Sequence, residues 1–276
     1  MLAAFLLAAL SPLCTAAEEA VLCISTEYID GERGDTLWKE TPLGRLCADA
    51  ALDAADADVC ILPGGIFVGN IPVGELHERD LDSVFSGDTA LYTIRLSAEE
   101  LKEVLETGFS HVSIQEEYID SKASAWEGYP QIAGMTVELD APAPSGERVR
   151  RMKLSKGGVL SEQEDVAYIL VCTDFVLRTA RLSGGTQMGV TLQRALADYL
   201  RGETALRAPS DTRISVLGTN DNSLFASIPH YMLIPVAALL FIIRYFLNQR
   251  KKTDPYIGLP DDFNMLKYPG DDAAEF

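Results

Sequence analysis

Histidine is scarce in this chain. His77, His111 and His230 are all it has, and no Asp-x-His, His-x-His or Asn-His pair occurs. A binuclear metal phosphatase needs several His, Asp and Asn ligands around two ions, and that set is missing. His77 and His111 read as ordinary surface or loop residues. Cysteine is scarce too, five residues with no Cys-x-x-Cys spacing, so Cys/His metal sites fail on spacing. The Gly-x-Ser-x-Gly elbow, the Walker phosphate loop and the dinucleotide fingerprint are absent. No metal and no cofactor is expected. Positive charge is also short: 23 Lys and Arg stand against 41 Asp and Glu, a net charge of −18. A field of that sign repels nucleic-acid backbones and does not steer anionic ligands. Nucleic acid is therefore not an expected partner, and a phosphate site would have to be made locally. With 41 acids, no meaningful carboxylate pair can be picked out.

What is present is 276 residues, 47% of them hydrophobic, enough for one sizeable domain plus appendages. Both ends look membrane-related. Residues 1–17 have an apolar run from Leu2 to Leu10, a helix-breaking Pro12 and small residues at Thr15, Ala16 and Ala17. That is the layout of a secretory signal peptide with cleavage near Ala17. Residues 228–247 have the length to cross the ~30 Å hydrocarbon core, with Met232 to Ile243 as the clean apolar stretch. Tyr231 and Tyr245 sit where aromatic belts are expected, and Asn248-Gln-Arg-Lys-Lys252 follows as a positive-inside signal. The expectation is a single-pass cell-membrane protein. Its domain over 18–217 lies outside, 218–227 is a linker, 228–247 is a transmembrane helix, and 248–276 is a disordered cytoplasmic tail.

Residues 18–217 mix strands and helices without strict alternation, so the expected class is α/β (mixed α+β). Runs containing Cys23, Cys60 and Cys172 read as strands, and buried free thiols are the favoured reading of these cysteines and of Cys47. A helix is expected over Glu40–Ala55, with Thr41 as N-cap, Pro42 at its first position and Leu43, Leu46, Cys47, Ala50 and Ala54 as its apolar stripe. Thr89–Leu96 alternates as a strand, and Ser97 with Glu100 forms a capping-box pattern ahead of another helix. Gln131–Asp140 and Arg148–Ser155 are expected to form a hairpin, Val166–Thr173 an apolar strand, and Arg213–Gly218 a last short strand. Met188–Gly202 is expected to be a helix closed by Gly202, and Gln115–Gly128 a loop or helical excursion.

One stretch raises a question. Cys60 to Leu76 reads as a strand entering a Gly-Gly pair, and such loops often cradle an anion. Here Leu62 and Phe67 flank Gly64 and Gly65, where a polar or positive side chain would serve an anion. Either this is a ligand loop without its usual side chains, or Gly64 and Gly65 form a corner needing positive φ.

The order of pieces bears on that choice. Glu40-Thr-Pro-Leu-Gly-Arg-Leu-Cys-Ala-Asp49 leads a helix; Ala57 to Ile66 and Asn70-Ile-Pro-Val-Gly74 follow. Asp80 to Thr89 precedes Leu96 to Glu106, and then come Tyr129-Pro-Gln-Ile-Ala-Gly-Met135, Thr173-Asp-Phe-Val176 and Ser183-Gly-Gly185. This resembles the C-terminal domain of the 5′-nucleotidase family, which includes ecto-5′-nucleotidases and periplasmic UDP-sugar hydrolases. The resemblance runs from about Val21 to Leu217.

It implies a domain that binds nucleotide by aromatic stacking and polar contacts, beside a separate metallophosphoesterase domain that carries two metals. In this chain the signal segment leads straight into the C-terminal domain. The expectation is therefore a hydrolase-family domain of nucleotide catabolism, catalytically incomplete alone, with a nucleotide-like small molecule and a separately encoded metallophosphoesterase as partners. The alternative is a surface scaffold that reuses the fold without binding nucleotide. The family loop Asn-Gly-Gly-Gly-Ile-Arg reads Leu62-Pro63-Gly64-Gly65-Ile66-Phe67 here, so the Asn and Arg that contact nucleotide are replaced. A charge-assisted contact is worth ~1.5–3 kcal/mol, so its loss costs about ten- to a hundredfold in affinity. One stacking ring corresponds to Phe175. The other corresponds to Phe85, which stands one position early. The Gly-Gly-Asp that holds a sugar hydroxyl reads Gly184-Gly185-Thr186. For Phe67 and Phe175, core packing remains the alternative to ligand contact.

Overall fold

The computed structural model describes residues 20–156, 160 and 166–219. The expected signal peptide, membrane span and tail lie outside the described residues. Among those that are described, no helix is long and apolar enough to cross a membrane.

The chain opens with β1 (Val21–Ser25), the short α1 (Arg33–Thr36), α2 (Pro42–Ala55) and β2 (Val59–Pro63), which ends in a 3-10 turn at Gly64–Ile66. Then come β3 (Gly74–His77), α3 (Glu78–Asp82), β4 (Ala90–Leu96), α4 (Ala98–Gly108), β5 (Ile114–Gln115), β6 (Tyr118–Ile119) and α5 (Ser121–Ser124). The second half holds β7 (Pro130–Ala133), β8 (Met135–Asp140), β9 (Val149–Leu154), β10 (Tyr168–Thr173) and α6 (Asp174–Thr179). It closes with β11 (Thr186–Thr191), α7 (Leu192–Leu200), β12 (Ala205–Leu206) and β13 (Ile214–Leu217).

A five-stranded sheet in the order β11-β4-β10-β2-β7 carries the architecture. β2 and β10 run parallel at its centre, and the remaining pairs are antiparallel. All five residues of β2 are buried, as a strand covered on both faces requires. Alternate side chains serve opposite layers. Cys60, Leu62 and Val171 join Leu43, Leu46 and Cys47 of α2 and Leu192 and Leu196 of α7. Val59, Ile61, Leu170 and Cys172 join Leu101, Val104 and Leu105 of α4. Each such fully buried aliphatic side chain contributes roughly 1.5–3 kcal/mol. The class is thus mixed α/β, with helices on both faces of the sheet.

Local signals explain the long elements. The Thr41 hydroxyl accepts from the Gly44 N–H at 3.1 Å, and Pro42 stands first in α2. The buried stripe of α2 is wider than expected, taking in Gly44, Ala48 and Ala51, because the helix packs on α7 as well as on β2 and β7. Ala54 is exposed instead. At α4, the Glu100 N–H donates to the Ser97 hydroxyl (3.2 Å) and the Ser97 N–H donates to the Glu100 carboxylate (2.8 Å).

Two boundaries differ from expectation. Gln131–Ala133 pairs with β2 in the central sheet, and only Met135 onward joins β9 and β13 in a second sheet. The switch is made at Gly134, whose φ is +78°; a Cβ there would stand 2.2 Å from the Asp58 carbonyl oxygen. Met188 to Thr191 extends β11, and the helix begins only at Leu192, with the Thr191 hydroxyl accepting from the Arg194 N–H. The stretch 115–128 folds as the small β5–β6 hairpin and α5.

A partly buried ionic clasp fastens β13. The Arg213 guanidinium donates to Asp49 (2.8 Å), to Asp211 (2.7 Å) and to the Ile132 carbonyl (2.9 Å). Glu40 accepts from the Arg213 and Ile214 N–H groups at 3.0 and 3.3 Å.

Candidate functional site

The Gly64–Ile66 turn sits where the central strand β2 ends. Gly64 and Gly65 do not have positive φ, contrary to the expected corner. Close approach is what requires them. A Cβ on Gly64 would lie 1.9 Å from the Thr36 carbonyl oxygen, and one on Gly65 would lie 2.6 Å from Glu127 Cβ. The N–H groups of the two glycines are also taken up within the chain. Gly64 N–H donates to the Tyr129 carbonyl and Gly65 N–H to the Glu127 carbonyl, both at 2.8 Å. Arg33 closes the edge, donating to the Gly65 carbonyl at 3.1 Å and to the Glu127 carboxylate at 2.9 Å.

Gln131 holds the layer beneath. It is fully buried on β7. Its Oε1 accepts from the Thr41 N–H (2.9 Å), while Nε2 donates to the carbonyls of Lys39 (2.8 Å) and Thr36 (3.2 Å). The Thr36 carbonyl, in turn, limits Gly64. The segment 36–41 and the turn are therefore one rigid unit.

The flanking side chains turn inward. Phe67 and Phe85 are 0% and 4% exposed, with ring centroids 5.9 Å apart, and Leu62 is equally buried. They pack in one core with Ile29, Leu43 and Ile71. Neither phenyl ring presents a face to a ligand; burial of two large apolar rings under the turn is the physical reason.

Phe175 is placed differently. It is half-buried on α6, 6.0 Å from the Trp126 ring at an interplanar angle of 51°. Trp126 stacks on His111 at 4.7 Å and 19°, and its indole N–H donates to the Gly108 carbonyl at 2.8 Å. A Cβ on Gly128 would lie 2.1 Å from the indole, so glycine admits the ring there. Thr107 and Gly108 of α4, Thr179 of α6 and Ala180 just after it wall this cleft, whose free volume is about 10 Å³. That is room for one water at most. Residues 126–129 thus join the two places, Trp126 and Gly128 lining the Phe175 cleft and the carbonyls of Glu127 and Tyr129 accepting from the glycine turn. His111, read from the sequence as an ordinary surface or loop residue, belongs to a ring cluster with Trp126, which no motif marks; the only signal for Trp126 is that the chain has just two tryptophans.

Gly184, Gly185 and Thr186 lie beyond the far end of α6. Gly184 turns the chain with φ +92°, and a Cβ on Gly185 would strike Leu177 at 2.6 Å. Thr186 opens β11 opposite Thr93 of β4. Gly184 and Thr186 line a groove of about 660 Å³, away from the lining of the Phe175 cleft. The eight sequence-selected residues therefore fall in three places.

No nucleophile stands out among the thiols. Cys23, Cys47, Cys60 and Cys172 are free and buried, and burial pushes Cys172 up to about 12 and the other three above the ordinary thiol value. A thiol is reactive as thiolate, so these are inert at neutral pH. His77 sits beside Asp80, 3.3 Å away, at the start of α3. Among the described residues, no three His, Cys, Asp or Glu are grouped to hold a metal ion.

Comparison with known proteins gives a consistent picture. Residues 20–183 match the family described as 5′-nucleotidase, C-terminal domain. The trifunctional nucleotide phosphoesterase protein YfkN of Bacillus subtilis (strain 168) is 28% identical over 154 residues, covering 54% of this chain and 10% of YfkN. The crystal structure of a 5′-nucleotidase precursor from Thermus thermophilus has a TM-score of 0.61 at 24% identity, over 71% of this chain and 39% of that one. The sulfate thiohydrolase SoxB of Thermus thermophilus has a TM-score of 0.57 at 23% identity, over 73% of this chain and 36% of that one. The chain spans only a minor part of the length of each of these relatives.

Proposed function

The chain belongs to the family of 5′-nucleotidase C-terminal domains, and from that premise we propose that it recognises a nucleotide-like small molecule for a phosphoesterase whose metal ligands come from another polypeptide. The observation that carries this is the half-exposed cluster of Phe175, Trp126 and His111 beside the glycine turn. Rings of this kind stack on a base for about 1–3 kcal/mol. Entry of a base requires the 126–129 segment to move, because the cleft is otherwise full. A site open for only a fraction of the time binds more weakly by that fraction, so the expected affinity is low. The scarcity of histidine and the lack of paired metal-ligand motifs support a catalytic partner. The run over 228–247 and the basic residues after it support a membrane anchor, with the domain outside the cell.

A second reading, a scaffold that binds no nucleotide, is favoured by one specific observation. The N–H groups of Gly64 and Gly65 are already bonded within the chain, and Phe67 and Phe85 are core residues. A thermal-shift titration of the full chain with nucleosides, nucleoside monophosphates and UDP-sugars, with and without a divalent metal, separates the two. Saturable stabilisation that is lost in Phe175→Ala supports recognition; no shift at millimolar ligand supports the scaffold. Metal-dependent phosphatase activity of the chain alone would contradict the need for a partner.

A further inference from the structure

Positive charge is scarce in this chain, and many of the described arginines face a carboxylate, for example Arg33, Arg45, Arg178, Arg194 and Arg213. Arg95 and Arg181 do not: neither guanidinium has an ion pair or hydrogen bond with a described residue, and both residues line the same groove of about 660 Å³. Two guanidinium groups in one concavity thus lack a counter-charge in a chain of net charge −18, and an anionic ligand in the groove would supply it.

The fold builds the groove from residues far apart in sequence. Thr93 and Arg95 stand two apart on β4 and so share a side. Thr186 of β11 lies directly opposite Thr93, and Ile169 of β10 directly opposite Arg95. The chain leaving α6 doubles back through left-handed conformations at Arg181 (φ +56°) and Gly184 (φ +92°), which brings Arg181 and Ser183 to the rim. The one carboxylate of the lining, Glu100, is held by the Ser97 N–H in the helix cap. The volume lies within the roughly 300–1,000 Å³ typical of small-molecule sites.

We propose that this groove binds a small organic phosphate. The two guanidinium forks match phosphate oxygens, the hydroxyls of Thr93, Ser183 and Thr186 suit ester or hydroxyl oxygens, and Ile169, opposite Arg95, gives the carbon skeleton an apolar surface. The site does not depend on the aromatic reading above, since Phe175 is not part of it.

Isothermal titration of the full chain with glycerol 3-phosphate, AMP, inorganic phosphate and adenosine tests this. The organic phosphates are expected to bind saturably and inorganic phosphate more weakly. Arg95→Gln and Arg181→Gln are each expected to weaken organic-phosphate binding at least tenfold. Phe175→Ala is expected to leave glycerol 3-phosphate binding unchanged. Both arginines are exposed, so the variants should melt as the parent does. No saturable heat at millimolar organic phosphate, or binding indifferent to both arginine substitutions, overturns the proposal. AMP binding that survives Arg95→Gln and Arg181→Gln but disappears in Phe175→Ala assigns the ligand to the aromatic cleft and also overturns it.

Discussion

Replacing Gln131 with leucine tests how the glycine turn is held. The change keeps the side-chain size and removes one acceptor and one donor. Thr41 N–H loses Oε1, and the Thr36 and Lys39 carbonyls lose Nε2. Two of these three bonds are buried, and the Lys39 contact is only partly so. A buried backbone group left unpaired costs about 1–3 kcal/mol, so two cost about 2–6 kcal/mol, and the added apolar burial of leucine offsets about 1 kcal/mol. A net loss of about 3 kcal/mol is expected, which for a domain of this size lowers Tm by about 6–12 °C. Urea unfolding followed by circular dichroism measures it, and the midpoint should fall with the slope unchanged. A loss under about 1 kcal/mol would mean that water or a shifted backbone satisfies these groups, and that Gln131 does not fix the turn.

Three other outcomes follow from the same packing. Gly64→Ala places a Cβ against the Thr36 carbonyl, a backbone atom that cannot swing aside, so a loss of about 2 kcal/mol or more is expected in the same urea assay. Burial holds the Glu40 carboxyl above its ordinary value, against the lowering by Arg213 and Arg45. The folded state therefore binds that proton more tightly, and the stability it contributes is full below the unfolded value of about 4.3 and is lost as pH rises through the folded one. Glu40→Gln should accordingly gain on the parent as pH rises from about 4 to 7, and a flat difference in unfolding free energy would refute the assignment. The four buried thiols should resist alkylation at pH 8 in the native protein and react on unfolding, as mass spectrometry of the labelled chain would read.

The elements that the sequence announced are those with local chemistry. Thr41 and Pro42 start α2, and Ser97 with Glu100 starts α4, because a cap needs only neighbours in the chain. The late start of α7 was also written locally, in Thr191, but the helical spacing of Met188 to Thr191 masked a strand that pairing with β4 imposes. The switch of sheets at Gly134 is decided by Asp58, a contact no local pattern contains. The site divides in the same way. Two adjacent glycines mark a tight turn, but what bonds to their N–H groups arrives from residues 127 and 129. The inward placement of Phe67 depends on Phe85, and the arginine groove joins residues from β4 and from the turn after α6. Each is a long-range packing event, invisible to spacing.

Trp126 is itself the reporter for ligand entry, because Trp38 is the only other tryptophan. In Trp38→Phe, the remaining indole lies against Phe175 and His111 and must move for a base to enter. Titrating this variant with AMP, UDP-glucose and adenosine while following its emission is the most direct measurement. Saturable quenching or a spectral shift, abolished by Phe175→Ala, is the expected result of nucleotide recognition at the aromatic cleft. An unchanged spectrum at millimolar ligand contradicts it and leaves the Gly64 turn as a structural corner.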